Sequence, residues 1–307
     1  MLWILGLAAV IVLACFVCFL LVFYDRRKPL PEFHLPEGPA YAPYHEIMID
    51  GMKRLRAQPF ETFTIRSHDG LTLSGRYFEY APGAPMEIMF HGYRGSADRD
   101  FCVGVDRAFA LGHSALIVDQ RTTGGSGGRV ITFGIREYRD CLKWVDFAVE
   151  HFGSDAKIIL TGISMGASTV LMAAGEKLPS NVVGVLADCG YTSGKAIIRE
   201  VSRFLHLPAW IMYPLIRMGG LIFGGFDLEE NAPIEAVKRI RVPVIFAHGE
   251  ADTLVPCYMS WENYDACTAP KLLYTAPGAG HGLCYLVAGE DYIRALREFW
   301  TEQGIYE

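Results

Sequence analysis

Residues 162–166, with the sequence GISMG, constrain the fold of this chain more than any other stretch. They follow the apolar run 157–161, which predicts a buried strand, and they lead into residues 167–174, which predict a helix. A G-x-S-x-G sequence between a strand and a helix is typical of a nucleophile elbow, a turn so sharp that the serine backbone is strained and only glycines fit around it. Ser164 is therefore the candidate nucleophile, beside the positive end of a helix. The alternative is an ordinary strand-to-helix turn.

A serine needs a base to activate it, and the base needs a carboxylate to orient it. In proteins with this elbow the two partners follow the serine in the order acid, then histidine. Asp252 lies in the loop after the predicted strand 242–247, and His281 lies among glycines after the next predicted strand, 271–274. The sequence therefore predicts that Ser164, His281 and Asp252 act together.

Two other carboxylates remain open as the acid. Glu250 precedes Asp252 in the same turn, and Asp188 ends the predicted strand 182–187, where some proteins with this elbow place their acid. We expect His248 to be a strand-end histidine whose ring is bonded to the local backbone.

An acyl-transfer site also needs two backbone donors for a developing oxyanion. The residue after the nucleophile, Met165, supplies one N–H, and the loop after the third strand supplies the other. That strand is predicted over 86–90, and Gly92 in the following loop lets the backbone approach a substrate closely. Tyr93 is then the second donor. The alternative is a glycine-rich turn that caps the next helix.

Together these motifs resemble the α/β-hydrolase superfamily, and within it bacterial serine hydrolases that have an N-terminal membrane anchor and are related to serine aminopeptidases. The matching segments are 67–73 (SHDGLTL), 90–93 (FHGY), 119–121 (DQR), 131–134 (ITFG), 162–166 (GISMG), 248–252 (HGEAD) and 280–282 (GHG). The resemblance runs from about Glu61 to the C-terminus and implies a serine hydrolase that needs no metal or organic cofactor. The chain departs from these relatives at Thr123, where they usually have a histidine.

The order of predicted elements agrees with an α/β-hydrolase fold. Strands are predicted to begin near residues 63, 73, 86, 115, 157, 182, 242 and 271, and helical patterns cover 99–110, 134–151, 164–175, 255–267 and 290–301. This alternation predicts a mostly parallel, eight-stranded sheet with helices on both faces. The first two strands are expected to be antiparallel, because a short turn at Asp69 and Gly70 joins them.

The 307 residues, 51% of them hydrophobic, are enough for one large α/β domain and an anchor. We predict an anchor over 1–24, a linker and N-terminal helix over 25–58, and a hydrolase domain over 59–307. The strongly apolar insertion 191–233 is the predicted cap, whose side chains pack on the core, line an acyl pocket or touch lipid. A net charge of −6 without a basic stripe argues against a nucleic-acid partner, and no Cys/His spacing indicates zinc.

The N-terminal 24 residues are almost wholly apolar and uncharged. As a helix they would be about 36 Å long, which is enough to cross a bilayer. A cleaved signal peptide is the alternative, but it would need a basic start and a small-residue cleavage site. Arg26, Arg27 and Lys28 follow the span and no lysine or arginine precedes it, so the positive-inside rule favours a single-pass membrane protein with its catalytic domain on the cytoplasmic side.

The linker is followed by apolar residues at helical spacing. They are Ile47, Met48, Gly51, Met52 and Leu55. This pattern predicts a helix packed on the core, and the alternative is a helix lying on the membrane.

The sequence as a whole predicts hydrolysis of carboxylic esters of apolar acyl groups through an acyl-enzyme, with a small-molecule or lipid-like substrate. A peptidase, an amidase, an acyltransferase with the same triad, and a non-catalytic binding protein remain as alternatives. A peptidase would need an acidic anchor for the substrate's amino group, and Glu229 and Glu230 near the cap are candidates without a spacing that favours either. No feature of the sequence indicates an oligomeric state.

Overall fold

The structure of the protein, a computed structural model, describes residues 2–27 and 31–306. Lys28, which contributes to the predicted topology, lies outside the described residues, as do Met1 of the predicted anchor, Pro29 and Leu30 of the predicted linker, and the C-terminal Glu307.

One eight-stranded sheet forms the centre of the fold, with the strand order β1-β2-β4-β3-β5-β6-β7-β8. The strands are β1 (Glu61–Arg66), β2 (Thr72–Phe78), β3 (Met86–Phe90), β4 (Ser114–Asp119), β5 (Ile158–Ile163), β6 (Val182–Asp188), β7 (Val244–Gly249) and β8 (Lys271–Ala276). β2 runs antiparallel to both of its neighbours, and all other neighbouring pairs are parallel. All eight predicted strands are confirmed, including the antiparallel pair around Asp69 and Gly70.

Twelve α-helices lie in the part of the chain that the structure describes. They are α1 (Leu2–Val22), α2 (His45–Ala57), α3 (Ala97–Asp100), α4 (Gly104–Leu111), α5 (Glu137–Phe152), α6 (Met165–Ala174), α7 (Gly194–Phe204), α8 (Ala209–Gly219), α9 (Pro233–Ala236), α10 (Tyr258–Ala266), α11 (Cys284–Ala288) and α12 (Glu290–Glu302). The sequence pattern predicted one helix over 99–110, but the structure has two, α3 and α4, with the break at residues 101–103. It did not predict α11.

The sheet is buried on both faces, as expected of parallel strands covered by helices. Every residue of β3 and of β7 is buried. α6 packs against β5 and β6, and its ten residues are all buried, so the helix that follows the elbow lies in the centre of the protein. This burial holds the first turn of α6 in place relative to the sheet.

Two segments outside the sheet have defined positions. In α2, Met48, Met52 and Leu55 are buried, and Gly51 packs against the backbone of Cys102, so the prediction of a helix packed on the core is confirmed. α1 packs through its C-terminal third against α8 of the cap, while its N-terminal part is exposed. By length and composition alone, α1 could cross a membrane.

The elbow glycines yield a prediction about stability. A Cβ on Gly166 would overlap the carbonyl oxygen of Phe90, whereas a Cβ on Gly127 would make ordinary contacts, with Thr72 O at 3.4 Å as the nearest atom. Gly166→Ala should therefore lower the midpoint of thermal unfolding by about 5–10 °C, because strand and helix must move apart. Gly127→Ala is the control and should change the midpoint little. Equal midpoints for the two variants would show that the elbow does not depend on this contact.

Candidate active site

Ser164 occupies a strained backbone position between β5 and α6, with φ of +57° and ψ of −116°. Non-glycine residues rarely adopt such a conformation, and where they do it is often at a functional site. The turn is possible because glycines flank it: a Cβ on Gly162 would overlap the backbone of Gly166. The predicted strand, elbow and helix around Ser164 are therefore present.

His281 and Asp252 are hydrogen-bonded to each other, with 2.6 Å between Nδ1 of the histidine and Oδ2 of the aspartate. They come from the loops after β8 and β7, which meet at the carboxyl edge of the sheet. The other oxygen of Asp252 accepts hydrogen bonds from the backbone N–H groups of Leu254 and Val255, at 2.8 and 2.9 Å. The carboxylate is thus held in one orientation toward the imidazole.

The environment of Asp252 keeps it ionised. Burial raises the pKa of the carboxyl group, but the charge on His281, the hydrogen bonds from His248 and His281 and the bond from the Val255 N–H outweigh burial, and the net pKa is well below its ordinary value. A carboxylate that stays negative can stabilise the imidazolium that forms when His281 takes a proton.

His248 supports Asp252 from behind. Its Nε2 lies 2.8 Å from the Val255 carbonyl and 3.2 Å from Oδ2 of Asp252, and its Nδ1 lies 2.6 Å from Oγ of Ser260. Nε2 donates to both, since the Val255 carbonyl and the Asp252 carboxylate are acceptors. The predicted bonding of the His248 ring to the local backbone is confirmed. The contact between His248 and Asp252 is not predicted from the sequence, although their i,i+4 spacing could have indicated it.

The alternative acids do not reach His281. Glu250 is exposed, and its carboxylate accepts a hydrogen bond from Thr275 at 2.7 Å. Asp188 is buried at the end of β6, where its carboxylate accepts a weak hydrogen bond from the thiol of Cys284 at 3.4 Å. Asp252 is the only one of the three carboxylates with a hydrogen bond to His281.

Ser164 and His281 line one cavity, but no hydrogen bond joins their side chains in the structure. Nε2 of the histidine instead lies 4.0 Å from Sγ of Cys189, a fully buried residue. Burial raises the pKa of the Cys189 thiol well above its ordinary value, so the sulfur stays protonated and is a poor nucleophile. Catalytic hydrogen bonds often shorten only when substrate binds.

The loop after β3 lies directly beside the nucleophile. A Cβ on Gly92 would lie 3.4 Å from Cβ of Ser164, so the loop backbone approaches the elbow closely. Its position is fixed by a hydrogen bond of 2.7 Å from the Gly92 N–H to Asp100. The N–H groups of Tyr93 and Met165 donate to no other residue that the structure describes, and they are therefore free to bind an oxyanion.

Comparison with known proteins agrees with this geometry. A family model described as the alpha/beta hydrolase fold matches residues 88–216. The chain has the α/β-hydrolase fold. The uncharacterized protein YqkD of Bacillus subtilis is 28% identical over 190 residues, which are 62% of this chain and 62% of YqkD, so the match spans less than two thirds of that relative.

Two solved structures share the fold of this protein. The Pyrococcus furiosus esterase Pf2001 superposes with a TM-score of 0.64 and 21% identity, over 81% of this chain and 93% of the esterase. Est1E from Butyrivibrio proteoclasticus, solved with bound ferulic acid, superposes with a TM-score of 0.61 and 22% identity, over 80% of this chain and 100% of Est1E. The hydrolase fold class predicted from the sequence is confirmed.

Thr123, the point of departure from the relatives, lies against the loop after β3. Its Oγ1 lies 2.9 Å from Nε2 of His91 and donates to the Gln120 carbonyl at 2.7 Å. Nδ1 of His91 donates to the Gly92 carbonyl at 2.8 Å, which ties the network to the backbone next to Ser164. With threonine instead of histidine at position 123, the loop after β3 is still held by hydrogen bonds.

The loop after β3 is also bonded to α1. The hydroxyl of Tyr93 donates to the Val22 carbonyl at 2.6 Å, and the Arg94 guanidinium donates to the Leu21 carbonyl at 2.9 Å. The last carbonyls of a helix have no partner within the helix, so these two side chains supply one. The end of the N-terminal helix thus packs against the loop that carries a candidate oxyanion donor, a contact that the sequence did not indicate.

The cavity at Ser164 has a volume of about 340 Å³. Its apolar lining includes Met48, Phe101, Val103, Ile163, Leu254, Leu283, Leu286 and Tyr292. No residue of 191–233 lines it, so the predicted apolar pocket exists but the cap does not build it. The linker contributes instead: Tyr41 lies in the wall and donates its hydroxyl to the His281 carbonyl at 2.9 Å.

The acidic residues proposed from the sequence as anchors for an amino group are elsewhere. Glu229 pairs with Arg217 and Lys195 at 2.8 and 3.1 Å, and Glu230 pairs with Arg139 on the surface. Neither glutamate lines the cavity. Neither candidate can therefore anchor an amino group in this cavity, because nearby cations hold the two side chains elsewhere.

Asp188 is one of three acidic residues that line the cavity; of the other two, Asp100 is bonded to Arg99 and to the Gly92 N–H, and Glu37 is exposed. The only hydrogen bond to the Asp188 carboxyl group among the described residues is the weak one from the Cys284 thiol, so this group has capacity for a further donor. Burial raises the pKa of this carboxyl group above its ordinary value. The two arginines of the lining, Arg99 and Arg107, are already paired with carboxylates of the protein.

Among the residues that the structure describes, two groups of side chains have the composition of a metal site. Cys189, Asp252 and His281 place donor atoms within 4.8 Å of one another, as do His68, Asp69 and Asp140. In the first group the donors are engaged in the hydrogen-bonded pair beside Ser164. In the second, Arg121 bonds to both carboxylates, so a cation would have to displace the guanidinium.

The contacts around His281 yield a prediction about the acid. Asp252→Asn should lower kcat by about 10⁴-fold, as in other triads, because the imidazole loses its orienting carboxylate. Asp188→Asn should reduce kcat far less, since Asp188 does not contact His281. Turnover of an activated ester, with thermal unfolding as a check on folding, compares the two. A larger loss for Asp188→Asn in folded protein would assign the acid role to Asp188.

Proposed function

We propose that this protein is a serine hydrolase that cleaves carboxylic esters of small, mostly apolar acyl groups through an acyl-enzyme. The observation that carries the proposal is the strained elbow at Ser164, on the same cavity as the hydrogen-bonded pair of His281 and Asp252. A structural role alone would not require a serine at a positive φ with two unbonded backbone N–H groups nearby.

The arrangement supports a two-step reaction. Oγ of Ser164 attacks the ester carbonyl carbon while Nε2 of His281 takes the hydroxyl proton, and the N–H groups of Tyr93 and Met165 bind the oxyanion. The C–O bond to the alcohol then breaks as His281 returns the proton to it, which leaves the acyl group on Ser164. Water, deprotonated by His281, attacks the acyl-enzyme and releases the acid. Each oxyanion donor contributes about 3–4 kcal/mol.

The cavity supports an ester with an apolar acyl group. Its volume lies at the lower end of the range for small-molecule sites, and most of the side chains around it are apolar. Each methylene group buried there adds about 0.8 kcal/mol of binding. Chain length should therefore affect kcat/KM until the cavity is full.

Asp188 favours a second candidate, hydrolysis of an amide or ester that carries an amino group. Its carboxyl group lies in the cavity with little hydrogen bonding from the protein, and an ammonium group would supply the missing donors. A cation would also offset the cost of burying the negative charge. The two candidates share the same catalytic steps and differ in what fills the cavity.

We propose further that α1 anchors the hydrolase in a membrane with the catalytic domain on the cytoplasmic side. The apolar length of α1 and the cations Arg26 and Arg27 after it support this arrangement. The competing role for such a helix is a cleaved signal sequence. The packing of α1 against the cap and its bonds to Tyr93 and Arg94 argue for a retained helix, since cleavage would remove these contacts.

The proposed nucleophile can be tested by covalent labelling. A fluorophosphonate probe should label the wild-type protein, and Ser164→Ala should abolish labelling and lower ester turnover by about 10⁴-fold or more, since the catalytic groups act as a unit. Mass mapping of the labelled peptide provides the measurement. Unchanged labelling of the folded variant, at Ser96 or Ser126 for example, would mean that Ser164 is not the nucleophile.

The proposed substrate class predicts an order of activity among model substrates. The full-length protein should hydrolyse nitrophenyl acyl esters with kcat/KM rising over the first few methylene groups, and it should prefer them to aminoacyl nitroanilides. The full chain is required because α1 contacts the oxyanion loop. Higher kcat/KM for a nitroanilide than for every ester, with a selective loss in Asp188→Asn, would favour the amino-group candidate instead.

The proposed membrane topology can be tested with a fused reporter. A reporter fused after the last residue should be active on the cytoplasmic side, because the cations that follow α1 resist translocation. The control is the same fusion with α1 preceded by added lysines and with Arg26 and Arg27 neutralised, which should lower cytoplasmic activity. Degradation of the wild-type domain by protease added to intact cells would contradict the proposed orientation.

A further inference from the structure

The cap presents an apolar surface that the described chain leaves uncovered. We define this cap surface by the exposed side chains of six residues, Phe204, Trp210, Ile211, Met218, Leu221 and Ile222. Trp210 is 75% exposed and Phe204 is 64% exposed, values far from those of a packed core. On α8, Trp210, Ile211 and Met218 share one face, whereas Tyr213 and Ile216 are buried on the other.

The cap surface also lacks free charge. Between Arg203 and Asp227 the sequence contains one formally charged residue, Arg217. Its guanidinium pairs with Asp227 at 2.7 Å and with Glu229 at 2.8 Å. A surface of six exposed apolar side chains without an unpaired charge is unusual on a water-exposed face and is typical of an interaction site.

The cap surface continues directly into α1. A Cβ on Gly219 of α8 would lie 2.5 Å from the Cys15 carbonyl oxygen, so only glycine allows the two helices to approach this closely. The ring of Phe16 meets the ring of Phe223 edge to face, with 4.9 Å between centroids. Close approach at a small residue is the usual way in which helices associate within lipid.

The position of α8 relative to a bilayer follows from the position of α1, because the two helices pack together. A 21-residue helix is about 32 Å long and matches the hydrocarbon core of a bilayer. The contacts with α8 involve Cys15 and the residues after it, which cover the last 12 Å or so of that length. If α1 crosses the bilayer, α8 must lie beside it within the leaflet nearest the catalytic domain.

We propose that the cap surface is seated in the acyl-chain region of this leaflet, so that α1 and α8 together hold the hydrolase at the bilayer surface. The inference rests on the membrane anchoring proposed above for α1 and is independent of the ester chemistry. This placement also affects how substrates reach the cavity. Tyr93 both lines the cavity and bonds to Val22 at the end of α1. The cavity is therefore close to the bilayer, within reach of substrates dissolved in it.

Quenching of tryptophan fluorescence by brominated lipids tests this placement. The full-length protein is reconstituted in phosphatidylcholine vesicles with bromine at defined acyl-chain positions. The background variant carries phenylalanine at Trp3, Trp210 and Trp261 and keeps the buried Trp144 and Trp300. Single tryptophans are then restored at position 3 or 210.

Tyr80→Trp in the same background is the matched control, since Tyr80 is 51% exposed and follows β2 at the opposite end of the sheet from the site. Trp210 should lose a fraction of its emission comparable with that of Trp3, and the Tyr80→Trp reporter should lose none. Quenching of Trp3 with an unquenched Trp210 would overturn the inference and leave the anchor intact. If neither is quenched, the anchoring and the inference both fail. An unquenched Trp210 in protein that cross-links to itself would identify an interface between copies and would also overturn the inference.

Discussion

The candidate active site depends on one close contact, between the first turn of α6 and the end of β3. Gly166 packs directly on the Phe90 carbonyl, with no room for a side chain. Because the two elements touch, the chain between β5 and α6 has to turn within a few residues, and Ser164 takes the strained conformation that results. The same contact sets Gly92, just after β3, against the serine. The candidate nucleophile and the loop that carries a candidate oxyanion donor are therefore placed by a single packing constraint.

The second part of the site is built by hydrogen bonds between loops rather than by packing. Asp252 receives two backbone N–H groups and two histidine rings, which offset the cost of burying its charge. Tyr41 bonds to the backbone of His281, and Tyr93 bonds to the end of α1. Segments far apart in the sequence thus hold His281 and the loop after β3, so residues of the linker and of α1 support the candidate site.

Local sequence patterns were sufficient to predict the strands and the elbow. Alternating apolar runs and glycine turns are properties of neighbouring residues, so the eight strands and the strained Ser164 followed from them. The position of Tyr41 and the origin of the cavity wall did not, because they arise from contacts between residues hundreds of positions apart. The cap shows the same limit: its apolar side chains were visible, but only the packing of α8 on α1 separates those in contact with protein from those that are exposed. Asp188 was considered only as an acid, and the structure shows that its carboxyl group lies in the cavity instead.

We propose that Ser164 carries the acyl group during turnover. Rapid acid quenching of the full-length protein with a nitrophenyl ester, followed by peptide mass mapping, measures whether it does. We expect a burst of nitrophenol, at most one per protein molecule, and the mass of the acyl group on the peptide that contains Ser164. An acyl group on Cys189 or another residue, or steady turnover without any acylated peptide and without a burst, would contradict it.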